Sequence, residues 1–196
     1  MKTLFSVLLI WLAACGPAEL ETLEEIENEK IEEVNTTVGF IQTSDCGWML
    51  GEKACDFQLP DQNEELWRLS SEEGDLILLD FSAMWCGPCN MAAQTVQHVQ
   101  ELYEDRGFQY VTVLIADSQN STVEKEDVDS WNLMHSIETA PVLRGDRAML
   151  YSPTVTHGFP VSSWPTFVLI DRAGNVVYGL HGYNEAYILE EIEANL

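Results

Sequence analysis

Basic residues are scarce in this chain. Its 196 residues hold nine Lys and Arg against 33 Asp and Glu, a formal charge of −24 at pH 7. So few cations cannot neutralise a run of phosphates, which excludes nucleic acid as a partner. The same deficit disfavours direct adsorption on anionic lipid, and the acidity reads as a solvated, soluble surface. A long hydrophobic run is also missing. The most apolar stretch, Leu4 to Ala14, is shorter than the roughly 20 residues of a membrane-spanning helix. No internal repeat is visible. The histidines His98, His135, His157 and His181 have no metal-ligand spacing; His181, just before Gly182, reads as a surface residue, with a place near the chemical site as the alternative. The sequence calls for no metal and no cofactor. What it does have is 46% hydrophobic residues, enough for a folded core, in a length that suits one domain with a tail.

Lys2 followed by the short apolar run has the layout of a secretory signal. The run ends in Leu12-Ala13-Ala14-Cys15-Gly16, which resembles the lipobox of bacterial lipoproteins, where cleavage precedes the cysteine and the cysteine takes a lipid. The competing reading is an ordinary signal cut near Ala14. A cysteine directly after Leu-Ala-Ala favours lipidation, with a signal peptide over 1–14 and lipid on Cys15. The protein is then expected on the periplasm-facing side of a membrane in the bacterial cell envelope. Residues 19–33 carry eight Glu and one Lys, a pattern of solvated segments, so 15–37 reads as an acidic tether. The folded domain is expected over 38–196. Five cysteines in an exported protein need explanation. Setting Cys15 aside leaves Cys46, Cys55, Cys86 and Cys89, an even set in a compartment where disulfides persist.

Leu76 to Phe81 is a continuous apolar run broken by Asp80, the pattern of a strand covered on both faces. From Pro88 to Arg106 the apolar residues Ala92, Val96, Val99 and Tyr103 fall at helical spacing, with Gly107 as the stop. Tyr110 to Ala116 predicts a second buried strand, and Val123 to Ile137 a helix. Thr166–Ile170 and Val176–Leu180 predict a hairpin, and Glu185–Ala194 a closing helix. The order predicts an α/β fold, a central mixed β-sheet flanked by helices on both faces.

Cys86 and Cys89, three apart at a strand-to-helix junction, form the strongest chemical signal. This spacing lets two sulfurs bond or separate with little backbone movement. Unpaired N–H groups at the helix start favour a thiolate at Cys86, and Pro88 is tolerated in a first turn. The alternatives are a zinc half-site or an inert disulfide. A zinc site needs a second ligand pair, and Cys46 and Cys55 have neither a short metal-type spacing nor a nearby histidine. A C-x-x-C beside a βαβ pattern reads as redox.

Trp85-Cys86-Gly87-Pro88-Cys89 resembles the thioredoxin active-site motif. Ile77-Leu78-Leu79-Asp80-Phe81 resembles the strand before it, and Trp164-Pro165-Thr166 the family's cis-proline segment. Gly174-Asn175-Val176 and Gly182 are similar to its final hairpin and the glycine beside the active site. The resemblance spans about residues 50–196. Gly51 to Leu59, Gly-Glu-Lys-Ala-Cys-Asp-Phe-Gln-Leu, is similar to the G-x-x-A-P-D-F-x-L segment of membrane-anchored TlpA/ResA-like periplasmic proteins and of peroxiredoxins. The long stretch 118–163 also fits the TlpA-like group. Two positions depart: Cys55 stands where that segment has proline, and Val113 where thioredoxin sets a lysine near its buried acid.

The resemblance implies a thioredoxin fold and a set of roles. Cys86 is the nucleophile toward a partner disulfide and Cys89 the resolving thiol. Asp80 is a buried proton acceptor for Cys89; its alternative is a strand-end acid facing water. Pro165, if cis, presents backbone to an extended substrate, with Gly87, Pro88 and Gly182 beside it. Trp85 and Trp164 form an apolar rim or serve as ordinary packing. Cys46 and Cys55 are expected to close a structural disulfide contributing ~2–3 kcal/mol; a second redox relay or two buried thiols are the alternatives. The expected activity is reduction or exchange of disulfides in exported proteins, and a reductant there needs electrons from a membrane partner. Peroxiredoxins place threonine three residues before their cysteine, where this chain has Ala83. A non-enzymatic binding or metal-delivery module is the remaining alternative.

Overall fold

The computed structural model describes residues 38–196. The expected signal peptide, Cys15 and the acidic tether lie outside the described residues. In chain order the strands and helices are β1 (Gly39–Phe40), β2 (Phe57–Pro60), β3 (Leu66–Arg68), β4 (Leu76–Ala83), α1 (Gly87–Ala93), α2 (Val96–Tyr103) and β5 (Phe108–Ala116). Then come α3 (Lys125–His135), β6 (Val142–Arg144), β7 (Thr166–Ile170), β8 (Val176–His181) and α4 (Glu185–Asn195). Five strands form a sheet in the order β6-β5-β4-β7-β8. β4, β5 and β6 run parallel, and β7 runs antiparallel to both its neighbours, β4 and β8. This is the mixed sheet of a thioredoxin fold.

Every residue of β4 is buried, as its apolar run requires. Successive side chains go to opposite faces. Leu76 and Leu78 join a core with Val96 and Val99 of α2, Trp131 of α3 and Ile188 and Ile192 of α4. Ile77, Leu79 and Phe81 join a second core that draws on no residue of the four helices. It is filled instead by Phe57, Leu59 and Trp67 of the small β1-β2-β3 sheet and by Phe159 of the long connection. Among the described residues, helices therefore do not cover both faces as the strand pattern suggested. Full burial of a strand reports only that something apolar lies on each side.

The helix expected over 88–106 is broken. Thr95 sits at the break: its hydroxyl and its own N–H both donate to the Ala92 carbonyl, at 2.9 and 3.0 Å. Such short-range bonds bend or end a helix by replacing its regular ladder. A 3₁₀ turn over Glu104–Arg106 follows α2, and Gly107 ends it at φ +73°.

Two side features fasten the domain. Asp56 accepts from Arg68 Nε (2.8 Å), Ser70 N (3.0 Å) and Ser70 Oγ (3.0 Å), tying the small sheet to the turn after β3. Residues 51–54 lie along the start of β8: Gly51 N donates to Val176 O, Val176 N to Glu52 O, and Ala54 N to Gly174 O. At the other side of the sheet, the Gln62 amide accepts from Val142 N (2.9 Å) and faces Ala140 O at 3.4 Å.

Candidate active site

Cys86 occupies the N-cap of α1, in extended conformation, and its Sγ accepts from the Cys89 N–H at 3.2 Å. A backbone donor aimed at that sulfur favours its thiolate when the pair is reduced. The geometry follows from the sequence: β4 ends at Ala83, Pro88 opens the first turn without losing a helical hydrogen bond, and Asn90 clamps the junction. Asn90 Nδ2 donates to Met84 O (2.9 Å) and Cys86 O (2.8 Å). Cys86 and Cys89 form a disulfide with Cα atoms 5.2 Å apart. Cys86 is 4% exposed and Cys89 0%, so what little access there is falls on Cys86. The space beyond Gly87 is open.

Asp80 lies in β4, on the face shared with Leu76 and Leu78, which packs against α1 and α2. It is 0% exposed. Ser82 Oγ donates to its Oδ1 at 2.7 Å, and Tyr110 Oη donates to its Oδ2 at 3.3 Å. Burial pushes its pKa up to about 7, with the Ser82 and Tyr110 hydrogen bonds pulling the other way. Burial and the neighbouring carboxyl push the Tyr110 phenol well above its ordinary range. Val113 does not stand near this acid. It pairs with Phe81 and belongs to the opposite core; Tyr110 of the same strand is the residue that reaches Asp80. Strand alternation dictates this, because positions one or three apart in β5 cannot share a face.

Ser82, Tyr110 and Asn90 were not among the candidates. Signals existed for each: Ser82 is two residues from Asp80 on one strand, a buried tyrosine needs a partner for its hydroxyl, and Asn90 stands in the first turn after the motif.

The Trp164–Pro165 peptide is cis, and Pro165 O accepts from Gly182 N at 2.8 Å. Gly182 has φ +81°, a conformation glycine adopts freely. The rings of Trp85 and Trp164 meet edge to face, 6.0 Å between centroids, with Trp85 44% exposed. The motif and the proline segment therefore come together, and Gly182 joins them. Cys46 and Cys55 form a separate disulfide, Cα atoms 4.8 Å apart. Cys55 is fully buried, two residues before β2.

The comparisons with known proteins agree with this geometry. The chain is 28% identical over 149 residues to the thiol-disulfide oxidoreductase ResA of Geobacillus kaustophilus, covering 75% of this chain and 76% of that one. A solved structure described as a DsbE-type thiol:disulfide interchange protein of Chlorobium tepidum superposes with a TM-score of 0.62 at 28% identity, covering 76% of this chain and 99% of that one. The exposed lipoprotein thioredoxin Etrx1 of Streptococcus pneumoniae superposes with a TM-score of 0.55 at 25% identity, over 71% of this chain and 98% of that one. The model of the AhpC/TSA family matches residues 50–179, from the loop after Cys46 into β8, and the chain belongs to that family, within which it is a thioredoxin-fold thiol–disulfide oxidoreductase.

Proposed function

We propose that the protein reduces or exchanges disulfides of exported proteins, held at the periplasmic side of a bacterial membrane by a lipid on Cys15. The observation that carries the chemistry is the Cys86–Cys89 pair at the start of α1 with the buried carboxyl of Asp80 on the strand beneath it. In the reducing direction the Cys86 thiolate attacks one sulfur of a partner disulfide. A Cys86–partner bond forms, and the partner's other sulfur leaves as a thiolate. Cys89 then gives up its proton and attacks Cys86 Sγ, releasing the second partner thiolate. The partner gains two electrons and the enzyme is left as the disulfide seen here.

Cys89 is fully buried, so its proton needs an acceptor inside the protein. Asp80, with a pKa near 7, is split between its acid and base forms close to neutral pH, the condition for efficient proton transfer. The backbone beside Pro165 and the Trp85–Trp164 rim receive the partner. Return to the dithiol requires two electrons from a membrane-bound dithiol donor. Cys46–Cys55 acts as a staple on this reading. The lipid anchor and the division into signal 1–14, tether 15–37 and domain 38–196 rest on the Leu12–Cys15 motif and the acid-rich run that follows. Among the described residues no helix is long and apolar enough to cross a membrane.

The decisive experiment compares Cys89→Ser with Cys86→Ser, each expressed with its export signal, quenched with acid and alkylating agent, and run on non-reducing gels. Cys89→Ser should accumulate mixed disulfides with exported partners because intramolecular release is blocked, whereas Cys86→Ser should trap none. Equal trapping by both variants, or none by either, overturns the assigned roles.

A further inference from the structure

We infer that His181 is a positioning residue for the polypeptide substrate: its imidazole pins the Ser162–Thr166 segment that carries Trp164 and Pro165. The inference rests on the exchange chemistry proposed above and assigns a part in it to a residue outside the motif.

His181 is the last residue of β8 and pairs in register with Thr166, the first of β7. Its Nδ1 lies 3.0 Å from Thr166 Oγ1 and its Nε2 3.4 Å from Ser162 Oγ. The proton positions follow from the neighbours. Thr166 Oγ1 gives its single proton to the Ser163 carbonyl at 2.7 Å, so it can only accept from the ring. The imidazole therefore carries a proton on Nδ1, and its Nε2 faces the Ser162 hydroxyl. One ring thus reaches both ends of a five-residue segment, on either side of the cis bond.

That segment has two exposed tasks. Trp164 meets Trp85, the residue before Cys86. Ser162, with Pro160 and Val161, lines one wall of a groove of about 420 Å³ whose other residues include Trp48, Met49 and Tyr151. Gly182 N holds the Pro165 carbonyl from the backbone side, and the imidazole supplies the matching hold through side chains. Its bonds are partly solvated, so their loss should leave the core intact and loosen the surface that meets a polypeptide. A small disulfide, which does not span that surface, should be indifferent.

The test is steady-state kinetics of otherwise unaltered protein, with dithiothreitol as the electron donor and its uncatalysed rate subtracted, on two substrates, disulfide-bonded insulin and oxidised glutathione. His181→Ala should raise KM for insulin about fivefold, the worth of one hydrogen bond, with kcat unchanged. Turnover of oxidised glutathione and the Cys86–Cys89 equilibrium with glutathione should stay within about twofold, since no bonding to the cysteines is touched. His181→Asn, whose amide N–H can still donate to Thr166 Oγ1, should recover most of the insulin KM. The inference is overturned if KM for insulin is unchanged in His181→Ala, if His181→Asn is as impaired as His181→Ala, or if glutathione turnover falls in parallel. Failure of the underlying exchange reading looks different: Cys86→Ser would then retain turnover on both substrates.

Discussion

Replacing Asp80 by Asn removes a fully buried carboxyl and leaves its shape. In the folded protein burial raises the pKa of this group from 3.8 to about 7; in the unfolded chain it returns to its ordinary value. Between those two values the native state keeps a proton that the unfolded state has released. Stability therefore falls as pH rises through the interval, and the loss is complete once pH exceeds the native pKa. At ~1.4 kcal/mol per pH unit, the whole interval amounts to about 4 kcal/mol. Asparagine does not titrate. Its carbonyl can accept from Ser82 or Tyr110, but its N–H groups need one of those hydroxyls to turn and accept, at a cost of about 1 kcal/mol. The two proteins should then be within about 1 kcal/mol of each other near pH 5, with the variant ahead by about 3 kcal/mol near pH 9. For a domain of this size, 3 kcal/mol corresponds to roughly 6–12 °C in Tm. Urea unfolding of both oxidised proteins at the two pH values measures the difference directly, because every other titrating group is common to both. An offset that is the same at both pH values would show that Asp80 is ionised without penalty, and the reasoning from burial would fail.

Three further outcomes are expected. Tyr110→Phe removes a donor that lowers the pKa of Asp80, so the pH profile of mixed-disulfide resolution, followed by stopped-flow, should move to higher pH, while formation by Cys86 is unaffected. The Cys46→Ala, Cys55→Ala double variant should lose ~2–3 kcal/mol of stability in denaturant titrations yet keep Cys86–Cys89 exchange, and in the native protein differential alkylation after mild reduction should label Cys86 and Cys89 but neither Cys46 nor Cys55. Mass spectrometry of the membrane-extracted protein should find an N-terminal Cys15 bearing lipid; a free thiol there in soluble mature protein rules out the anchor.

The long elements are readable from the chain because each has one dominant cause. β4 and β5 are mostly apolar runs interrupted by few polar residues, and β7 and β8 flank the turn residues Asp171 to Asn175. The cysteine pair is equally plain, since two thiols three apart at a strand–helix junction have few other uses. What the sequence hides is partnership across elements. The strands of the small sheet are two to four residues long, too short for a period to register. β6 has three residues inside the long connection after α3, with the same difficulty. Tyr110 meets Asp80 only because β4 and β5 pair with a particular register, Asp80 beside Thr112; a shift of one would turn the phenol to the opposite core. The break at Thr95 is likewise a contest between two sets of hydrogen bonds that helical spacing alone does not reveal.

The treatment of the sheet borders bears on how this protein meets other chains. A free strand border offers a row of donors and acceptors to any extended polypeptide. Here the β6 border is answered by the side chain of Gln62, which imitates a neighbouring strand with one donor and one acceptor at Val142 and Ala140. The β8 border is occupied at its start by residues 51–54, locked in place by the adjoining Cys46–Cys55 bond. An extended polypeptide is thereby denied growth onto these stretches of the sheet.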